Sequence, residues 1–316
     1  MKKTKLGQTQ LEVSELCFGA LPMGPLQAKI SEEAGGEIIL TALRKGVNFI
    51  DTAEIYKTYP YIRRALDRFA GEVIIATKSP AHTYADMEKS IELALDELGR
   101  KKIDIFLLHA ARVTPAVFEE RAGAFQCLVD YKEKGILKAI GLSTHVVSVV
   151  EKAAQIPEVD IIFPIVNKLG MGIVGGSIDD MLQAIRKAHA AGKGLCGMKA
   201  LAGGHLITEL KDAFDFVRKI PELSSIAVGM VKPEELEINL KIFNDGELPA
   251  NLKGDLKASK RLHILTNICV GCGTCVKICP NAALSLVDGK ARVDRNSCIL
   301  CGYCNPVCPE FALRLV

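Results

Sequence analysis

The chain carries one cysteine spacing twice near its C-terminal end, as CVGCGTCVKICP at residues 269–280 and CILCGYCNPVCP at residues 298–309. Each copy reads C-x2-C-x2-C-x3-C-P. A tight loop with a thiolate at every third residue can surround three corners of an iron–sulfur cube, while the fourth cysteine lies beyond the reach of the loop. A zinc ribbon would use two C-x2-C pairs, and disulfides need an oxidising compartment. The repeat therefore predicts two [4Fe–4S] clusters.

The spacing resembles the ligand run of bacterial two-cluster ferredoxins, in which the fourth cysteine of each run binds the other cluster. The ligands predicted for the first cluster are Cys269, Cys272, Cys275 and Cys308, and those predicted for the second are Cys298, Cys301, Cys304 and Cys279. Glycines 271, 273 and 302 are expected to let the backbone approach the inorganic sulfides, where a Cβ would clash.

Composition bounds the rest of the chain. Hydrophobic residues make up 49% of the chain and charged residues 24%, which is ordinary for a soluble globular protein. The net charge is only +3, and so small a charge argues against a nucleic-acid or membrane partner. The N-terminal segment lacks the apolar core of a signal peptide, and no apolar run approaches the ~18 residues of a membrane span. Eleven cysteines without a secretion signal predict a reducing, cytoplasmic location. Outside the repeat, Cys17, Cys127 and Cys196 lie in apolar segments and are expected to be buried hydrophobes.

Apolar, β-rich runs alternate with helical patterns before the cysteine repeat. The runs lie at residues 16–20, 47–53, 72–78, 103–109, 138–143, 160–166, 194–200 and 224–230. The helical patterns lie at 31–46, 61–70, 85–99, 115–134, 146–155, 177–191, 208–219 and 233–244, after a short hairpin at 3–13. Eight strands alternating with eight helices predict an α/β fold, and an extent of ~250 residues favours a closed (β/α)8 TIM barrel over an open doubly wound sheet, the alternative.

The alternation ends in a polar segment, which sets the predicted domain boundaries. We predict a barrel over residues 1–245, a linker over 246–265, and a small α+β ferredoxin-like domain over 266–316.

Four polar residues stand at or just after the predicted strand ends, where chemistry lies in a (β/α)8 barrel. The second strand ends in Asp51, with Tyr56 in the following loop, the third ends in Lys78, and the fourth ends in His109. This set suits proton donation to a carbonyl oxygen during hydride transfer. Tyr56 would be the general acid, and Lys78 would lower its pKa from ~10 by stabilising the tyrosinate. Asp51 would keep Lys78 charged, and His109 would donate a hydrogen bond to the substrate oxygen.

At these residues the sequence resembles the aldo-keto reductases, whose catalytic tetrad is Asp, Tyr, Lys and His. The matching motifs are DTAEIY at 51–56, ATK at 76–78, LLH at 107–109, IGLSTH at 140–145 and KALAGG at 199–204. The resemblance covers roughly residues 3–245, and reductases of this family with a C-terminal two-cluster module form a recognisable subgroup. It implies that Asp51, Tyr56, Lys78 and His109 are catalytic, and that NADPH lies across the barrel mouth.

The resemblance also implies residues that contact this cofactor. Ser143 and Asn167 would contact the nicotinamide amide, and the loop containing Lys199, Leu201 and Gly203 would flank the pyrophosphate. The adenosine end would be lined by Gly229, Lys232, Glu235 and Asn239, with Lys232 beside the 2′-phosphate. Departures from the family pattern, such as Lys57 and Pro60 after the tyrosine, keep NADH and FMN open as alternatives.

Three functions stay open at this stage. The first is NAD(P)H-dependent reduction of a small carbonyl, or the reverse alcohol oxidation, with clusters that are structural or that serve a redox protein partner. The second is a ferredoxin-linked oxidoreductase with a flavin at the barrel mouth. The third is an electron carrier or adaptor with a non-catalytic barrel, against which the intact tetrad argues.

Overall fold

The computed structural model describes residues 1–248, 261–305, 307–310 and 312–315. Most of the predicted linker, residues 249–260, lies outside the described residues. Within residues 1–248, eight parallel strands close into a barrel in chain order, with the last barrel strand paired to the first. The predicted TIM barrel is therefore confirmed, and the open doubly wound sheet is excluded.

All eight predicted apolar runs supply a barrel strand. These strands are β3 (Leu16–Gly19), β4 (Phe49–Asp51), β5 (Ile74–Ser79), β6 (Ile103–Ala110), β7 (Leu137–Thr144), β8 (Ile161–Pro164), β9 (Gly194–Met198) and β10 (Ser225–Gly229). The predicted N-terminal hairpin is β1 (Lys3–Lys5), paired antiparallel with β2 (Glu12–Ser14).

The helices follow the predicted patterns, except that the pattern at 115–134 forms two helices. They are α1 (Glu32–Arg44), α2 (Tyr59–Leu66), α3 (Tyr84–Leu98), α4 (Val117–Glu120), α5 (Ala122–Glu133), α6 (Val147–Ala154), α7 (Ile178–Ala190), α8 (Leu210–Arg218) and α9 (Pro233–Asp245). Capping residues in the sequence fix the ends of several helices. The Ser177 side chain caps α7 by accepting from the Asp180 amide, and Gly99 ends α3 in a left-handed conformation.

Two layers of apolar side chains hold the barrel together. One fills its interior, where Phe49 and Phe163 meet edge to face with ring centroids 6.1 Å apart. The other joins the outer faces of the strands to the helices. This packing fixes the strand ends, and therefore the polar residues they carry, at one rim.

The C-terminal domain is built from short pieces around its cysteines. Strand β11 (Leu262–Ile264) pairs antiparallel with β14 (Leu313–Leu315), and β12 (Leu284–Val287) pairs with β13 (Lys290–Val293). Helix α10 (Thr274–Ile278) lies within the first cysteine run. Because β11 lies inside the range predicted as linker, the sheet of this domain begins before residue 266.

Candidate active site and cluster-binding domain

The predicted carboxylate and amine form a buried ion pair at the barrel rim. Asp51 ends β4, Lys78 lies on the adjacent β5, and the Lys78 side chain is only 1% exposed. Lys78 Nζ contacts Asp51 Oδ1 and donates to the Thr52 carbonyl at 2.7 Å. Burial raises the pKa of Asp51, and the positive charge of Lys78 opposes that shift.

Tyr56 and His109 meet beside this pair. A one-turn 3-10 helix, Glu54–Tyr56, follows β4 and turns Tyr56 inward, so that it is buried. The Tyr56 ring packs edge to face with the His109 ring, with centroids 5.7 Å apart. Lys78 Nζ lies 5.2 Å from the centre of the Tyr56 ring. The structure thus brings Asp51, Tyr56, Lys78 and His109 together at one rim.

The expected effect of Lys78 on Tyr56 is not what this arrangement produces. The pKa of Tyr56 lies well above its ordinary value, because of burial first, then Tyr303 and the negative charge of Asp51. Lys78 approaches the face of the Tyr56 ring while its nitrogen contacts Asp51. The expectation of a lowered tyrosine pKa was therefore wrong for this structure, and Tyr56 is a protonated donor here.

His109 is neutral in this environment. Its pKa lies well below the ordinary value because of burial, followed by the charge of Lys78. Its Nδ1 is buried without a hydrogen-bond partner in the described part of the chain. Its Nε2 lies 3.2 Å from the hydroxyl of Tyr303, a residue of the C-terminal domain.

A cavity of about 240 Å³ lies at the barrel mouth. Its lining contains Asp51 and Tyr56 together with residues of α9. The predicted cofactor residues that line it are Lys199, Leu201, Gly203, Gly229, Glu235 and Asn239. Ser143, Asn167 and Lys232 lie outside this lining.

These three residues differ in what they can still bind. The Ser143 hydroxyl, on β7, is buried and has no hydrogen-bond partner in the described residues. Asn167 is largely committed to its own loop: its amide oxygen accepts from the Leu169 and Met171 amides, and its Nδ2 donates to the Met171 carbonyl at 2.9 Å. Lys232 is exposed just before α9. Of the two buried residues, Ser143 has more free hydrogen-bonding capacity than Asn167.

The C-terminal domain docks on the barrel mouth through the second cysteine run, residues 298–304, which we call the second-cluster loop. Ile299, Leu300 and Cys301 form part of the cavity wall. His205, in the loop after β9, bonds through Nε2 to the Cys298 carbonyl at 2.6 Å. Tyr303 packs on the apolar cluster formed by Leu26, Ala53 and Tyr56.

Two glycines make this docking possible. Gly203 of the barrel adopts φ +73°, and a Cβ there would overlap the Ile299 carbonyl. Gly302 of the second-cluster loop adopts φ +84°, and a Cβ there would overlap the Leu26 carbonyl. Gly302 was expected to allow approach to a sulfide; the close approach seen here is to the barrel backbone.

The cysteines of the repeat lie near one another without forming a closed ligand set. Burial, and then the neighbouring thiols of Cys269, Cys272 and Cys308, raise the pKa of Cys275. Burial raises the pKa of Cys304, and so do the thiols of both runs, Cys301, Cys298, Cys279 and Cys275. Among the described residues no three such side chains are grouped closely enough to hold a metal ion, so the two ligand sets stay a prediction. Outside the repeat, Cys17, Cys127 and Cys196 are buried as expected.

Comparison with known proteins agrees with this geometry. The profile of the aldo/keto reductase family matches residues 15–222, and the profile of the 4Fe-4S dicluster domain matches residues 268–313. The chain therefore belongs to the aldo/keto reductase family and carries a 4Fe-4S dicluster domain.

Individual relatives are distant. An L-galactose dehydrogenase of Arabidopsis thaliana is 25% identical over 282 residues, 77% of this chain and 88% of the relative. An NADPH-dependent alpha-keto amide reductase of Saccharomyces cerevisiae is 28% identical over 151 residues, 45% of this chain and 46% of the relative. The chain spans about half the length of several of the curated relatives it matches.

Solved structures share the fold. A putative aldo-keto reductase from Pseudomonas aeruginosa superposes with a TM-score of 0.65 at 24% identity, covering 76% of this chain and 93% of that one. Among the described residues, no helix combines the length and apolar character needed to cross a bilayer.

Sequence reasoning missed three residues at this site: Tyr303, His205 and His145. Burial lowers the pKa of His145 to about 3, and the neighbouring side chain of Asn281, in the C-terminal domain, opposes that shift. His145 and His205 lie in loops after predicted strands, Tyr303 lies between two cysteines of the repeat, and the sequence patterns assign none of the three to the site. Nothing in the sequence indicated which face of the C-terminal domain would meet the barrel.

Proposed function

We propose that the protein is an NAD(P)H-dependent reductase of small carbonyl compounds, able to run in reverse as an alcohol dehydrogenase. The observation that carries the proposal is the meeting of Tyr56 and His109 beside the Asp51–Lys78 pair, with Tyr56 and Asp51 lining a cavity at the barrel mouth. The names of two relatives, an NADPH-dependent alpha-keto amide reductase and an L-galactose dehydrogenase, support the same class of reaction.

Each polar residue has a distinct role. The Tyr56 hydroxyl, held protonated by its surroundings, donates its proton to the substrate oxygen. Neutral His109 donates a hydrogen bond from Nε2 to the same oxygen and fixes its position. Lys78 is held by Asp51 and the Thr52 carbonyl with its nitrogen 5.2 Å from the centre of the Tyr56 ring, where it balances the negative charge of Asp51.

The cavity suits an elongated coenzyme, which supplies the hydride when bound. The unpartnered Ser143 hydroxyl is a ready hydrogen-bonding group for a nicotinamide amide, and Asn167 retains one amide hydrogen for it. The small residues Gly203 and Gly229 leave room in the lining. Glu235 and Asn239 would contact the adenosine end, and exposed Lys232 would meet a 2′-phosphate there.

The C-terminal domain would hold two [4Fe–4S] clusters with the ligand sets predicted above. Backbone amides already point at three of the sulfurs: Ala283 to Cys279 at 3.3 Å, Ala291 to Cys269 at 3.4 Å and Ala312 to Cys308 at 3.2 Å. Hydrogen bonds of this kind tune the reduction potential of a cluster. We keep the predicted redox protein partner and cytoplasmic location as parts of the proposal.

The proposal is tested by Tyr56→Phe. We expect kcat for NADPH-dependent reduction of a small aldehyde to fall about 10²–10⁴-fold, since the general acid is lost, with the Kd for NADPH little changed. Turnover equal to that of the unaltered protein would refute the assignment of Tyr56.

A second candidate is a ferredoxin-linked flavin oxidoreductase, and the position of Cys301 in the cavity wall favours it. A flavin there would lie beside the second cluster and could exchange single electrons with it. The absorbance spectrum of anaerobically purified protein separates the two, because bound flavin adds its own bands to those of the clusters.

A further inference from the structure

The hydroxyl of Tyr303 lies where the proposed reaction needs the substrate oxygen. It is 3.2 Å from His109 Nε2, and the His109 and Tyr303 rings pack edge to face with centroids 6.1 Å apart. The Tyr303 side chain also packs on the apolar cluster that contains Tyr56. The Tyr303 phenol therefore lies against both residues that would hold a carbonyl oxygen, and its hydroxyl reaches the nitrogen of one of them.

The position of Tyr303 is built into the docked interface. The residue before it, Gly302, lies so close to the Leu26 carbonyl that no side chain fits. His205 holds the Cys298 carbonyl, and Gln27 donates to the Leu300 carbonyl at 3.5 Å. The Tyr303 ring is partly buried against Tyr56 and Leu26. Contacts on both sides of the loop thus direct this side chain into the mouth.

We propose that Tyr303 is a specificity-determining residue of the barrel site, an internal occupant whose hydroxyl takes the place of the substrate oxygen between Tyr56 and His109. The inference rests on the proposed function for the identity of that substrate. The one Nε2–H group of His109 cannot make a full hydrogen bond to two oxygens, so a substrate oxygen must displace the Tyr303 hydroxyl. The cluster-binding domain therefore sets which carbonyl compounds the barrel accepts, and it favours those small enough to fit beside a displaced ring.

The test compares Tyr303→Phe, which removes only the oxygen, with Tyr303→Ala, which also removes the ring. Tyr131→Phe is the control, because it removes a phenol that bonds Glu88 at 2.9 Å between α3 and α5. Cluster content is checked by visible absorbance in every variant. Benzoate serves as a binding probe that is not reduced, since its carboxylate oxygens accept the same hydrogen bonds, and its Kd is measured by calorimetry on the cluster-loaded full chain.

We expect benzoate to bind about 5–10-fold more tightly to Tyr303→Phe, because it no longer has to break the hydrogen bond between Tyr303 and His109. It should bind more tightly still to Tyr303→Ala, in which the ring is also absent. The KM for benzaldehyde should fall in the same order while kcat changes little, and Tyr131→Phe should match the unaltered protein. Unchanged or weaker benzoate binding in both variants would overturn the inference, as would a loss of kcat at constant KM, which would make Tyr303 a catalytic donor.

Failure of the proposed function gives a different result. In that case neither the unaltered protein nor the Tyr303 variants reduce benzaldehyde with NADPH, yet the order of benzoate affinities still decides whether Tyr303 occupies the site. Should Tyr303→Ala lose its clusters, Tyr303→Phe retains the aromatic ring and still provides the comparison.

Discussion

The two cluster-binding loops share one cysteine spacing but lie in opposite surroundings. The second-cluster loop faces the barrel, forms part of the cavity wall and places Tyr303 against Tyr56 and His109. The first-cluster side faces solvent: Cys272 is exposed, and so are several large apolar side chains around it, namely Ile268, Val270, Ile278, Leu286 and Val287. Of the two copies of the cysteine spacing, the second therefore faces the barrel and the first faces solvent.

Because of this difference, substitutions at equivalent positions of the two cysteine runs should have different consequences. A change near Cys301 alters the barrel site directly, because Cys301 lines the cavity. A change near Cys272 should act on the C-terminal domain alone. Paired substitutions at equivalent positions of the two runs therefore separate the effect of docking from the effect of holding a cluster.

The largest contrast is expected between Cys301→Ala and Cys272→Ala. Each should remove one cluster and its visible absorbance, and each should destabilise a small domain that gains folding free energy from its metal. Only Cys301→Ala removes part of the cavity wall, so we expect the Kd for NADPH to rise about tenfold or more there, and to change less than about twofold in Cys272→Ala. Equal effects in the two variants would mean that docking has no part in forming the site.

A smaller contrast is expected between Gly302→Ala and Gly273→Ala, which follow the second cysteine of their runs. Both glycines have positive φ, +84° and +75°, so both substitutions carry a similar backbone strain. At Gly302 the new Cβ overlaps the Leu26 carbonyl, whereas at Gly273 the nearest atom is a Leu286 methyl at 3.7 Å.

We therefore expect Gly302→Ala to cost about 1–3 kcal/mol more than Gly273→Ala and to lower the thermal midpoint further. Hydrogen exchange at residues 24–27 should rise only in Gly302→Ala, since that segment contacts the second-cluster loop. Matching midpoints and matching exchange would show that the loop does not press on Leu26 in solution.

The smallest effect is a pH dependence from His145, which lies at the same interface. Its folded pKa of about 3 is below the ordinary 6.5, because burial and the charges of Lys199 and Arg112 disfavour the imidazolium. The unfolded chain therefore takes up a proton at His145 as the pH falls below 6.5, while the folded protein does not. Stability is lost progressively from pH 6.5 down towards 3, and it does not change above that window.

Between pH ~7.5 and ~5.5, this residue should cost the protein about 1.4 kcal/mol. Compared with His145→Gln, the unaltered protein should lose a further ~2–4 °C of thermal midpoint over that interval. Other titrating groups, His109 included, are common to both proteins and cancel in the comparison. Parallel pH profiles would contradict a buried, neutral His145.

Much of this architecture could be predicted from residue patterns. The eight strands follow from apolar runs at regular spacing, and the tetrad follows from polar residues at their ends, because closure of a barrel brings all strand ends to one rim. The proposed grouping of the cysteines rests on how far a short loop can reach, and it stays a prediction. These are local rules, and they act within each domain.

What could not be predicted depends on how one domain meets the other. The role of Tyr303 arises from the docking of a loop more than 190 residues away from His109 in the chain. Gly203 was predicted to flank the coenzyme pyrophosphate, and nothing in the sequence shows that Ile299 lies against it. The expected lowering of the Tyr56 pKa was wrong for the same reason. Burial and the nearby Tyr303 raise this pKa, and the position of Tyr303 depends on docking. No periodicity or motif encodes such contacts.

We propose above all that the second cluster lies at the mouth of the barrel, beside Tyr56 and His109. An anomalous difference map collected at the iron absorption edge, from anaerobically grown crystals, tests it most directly. We predict one iron peak beside Cys301 at the cavity wall, with the Tyr303 hydroxyl within hydrogen-bond distance of His109, and a second peak beside Cys272 near solvent. Two iron peaks both remote from the cavity, with Tyr303 pointing away from His109, would contradict it.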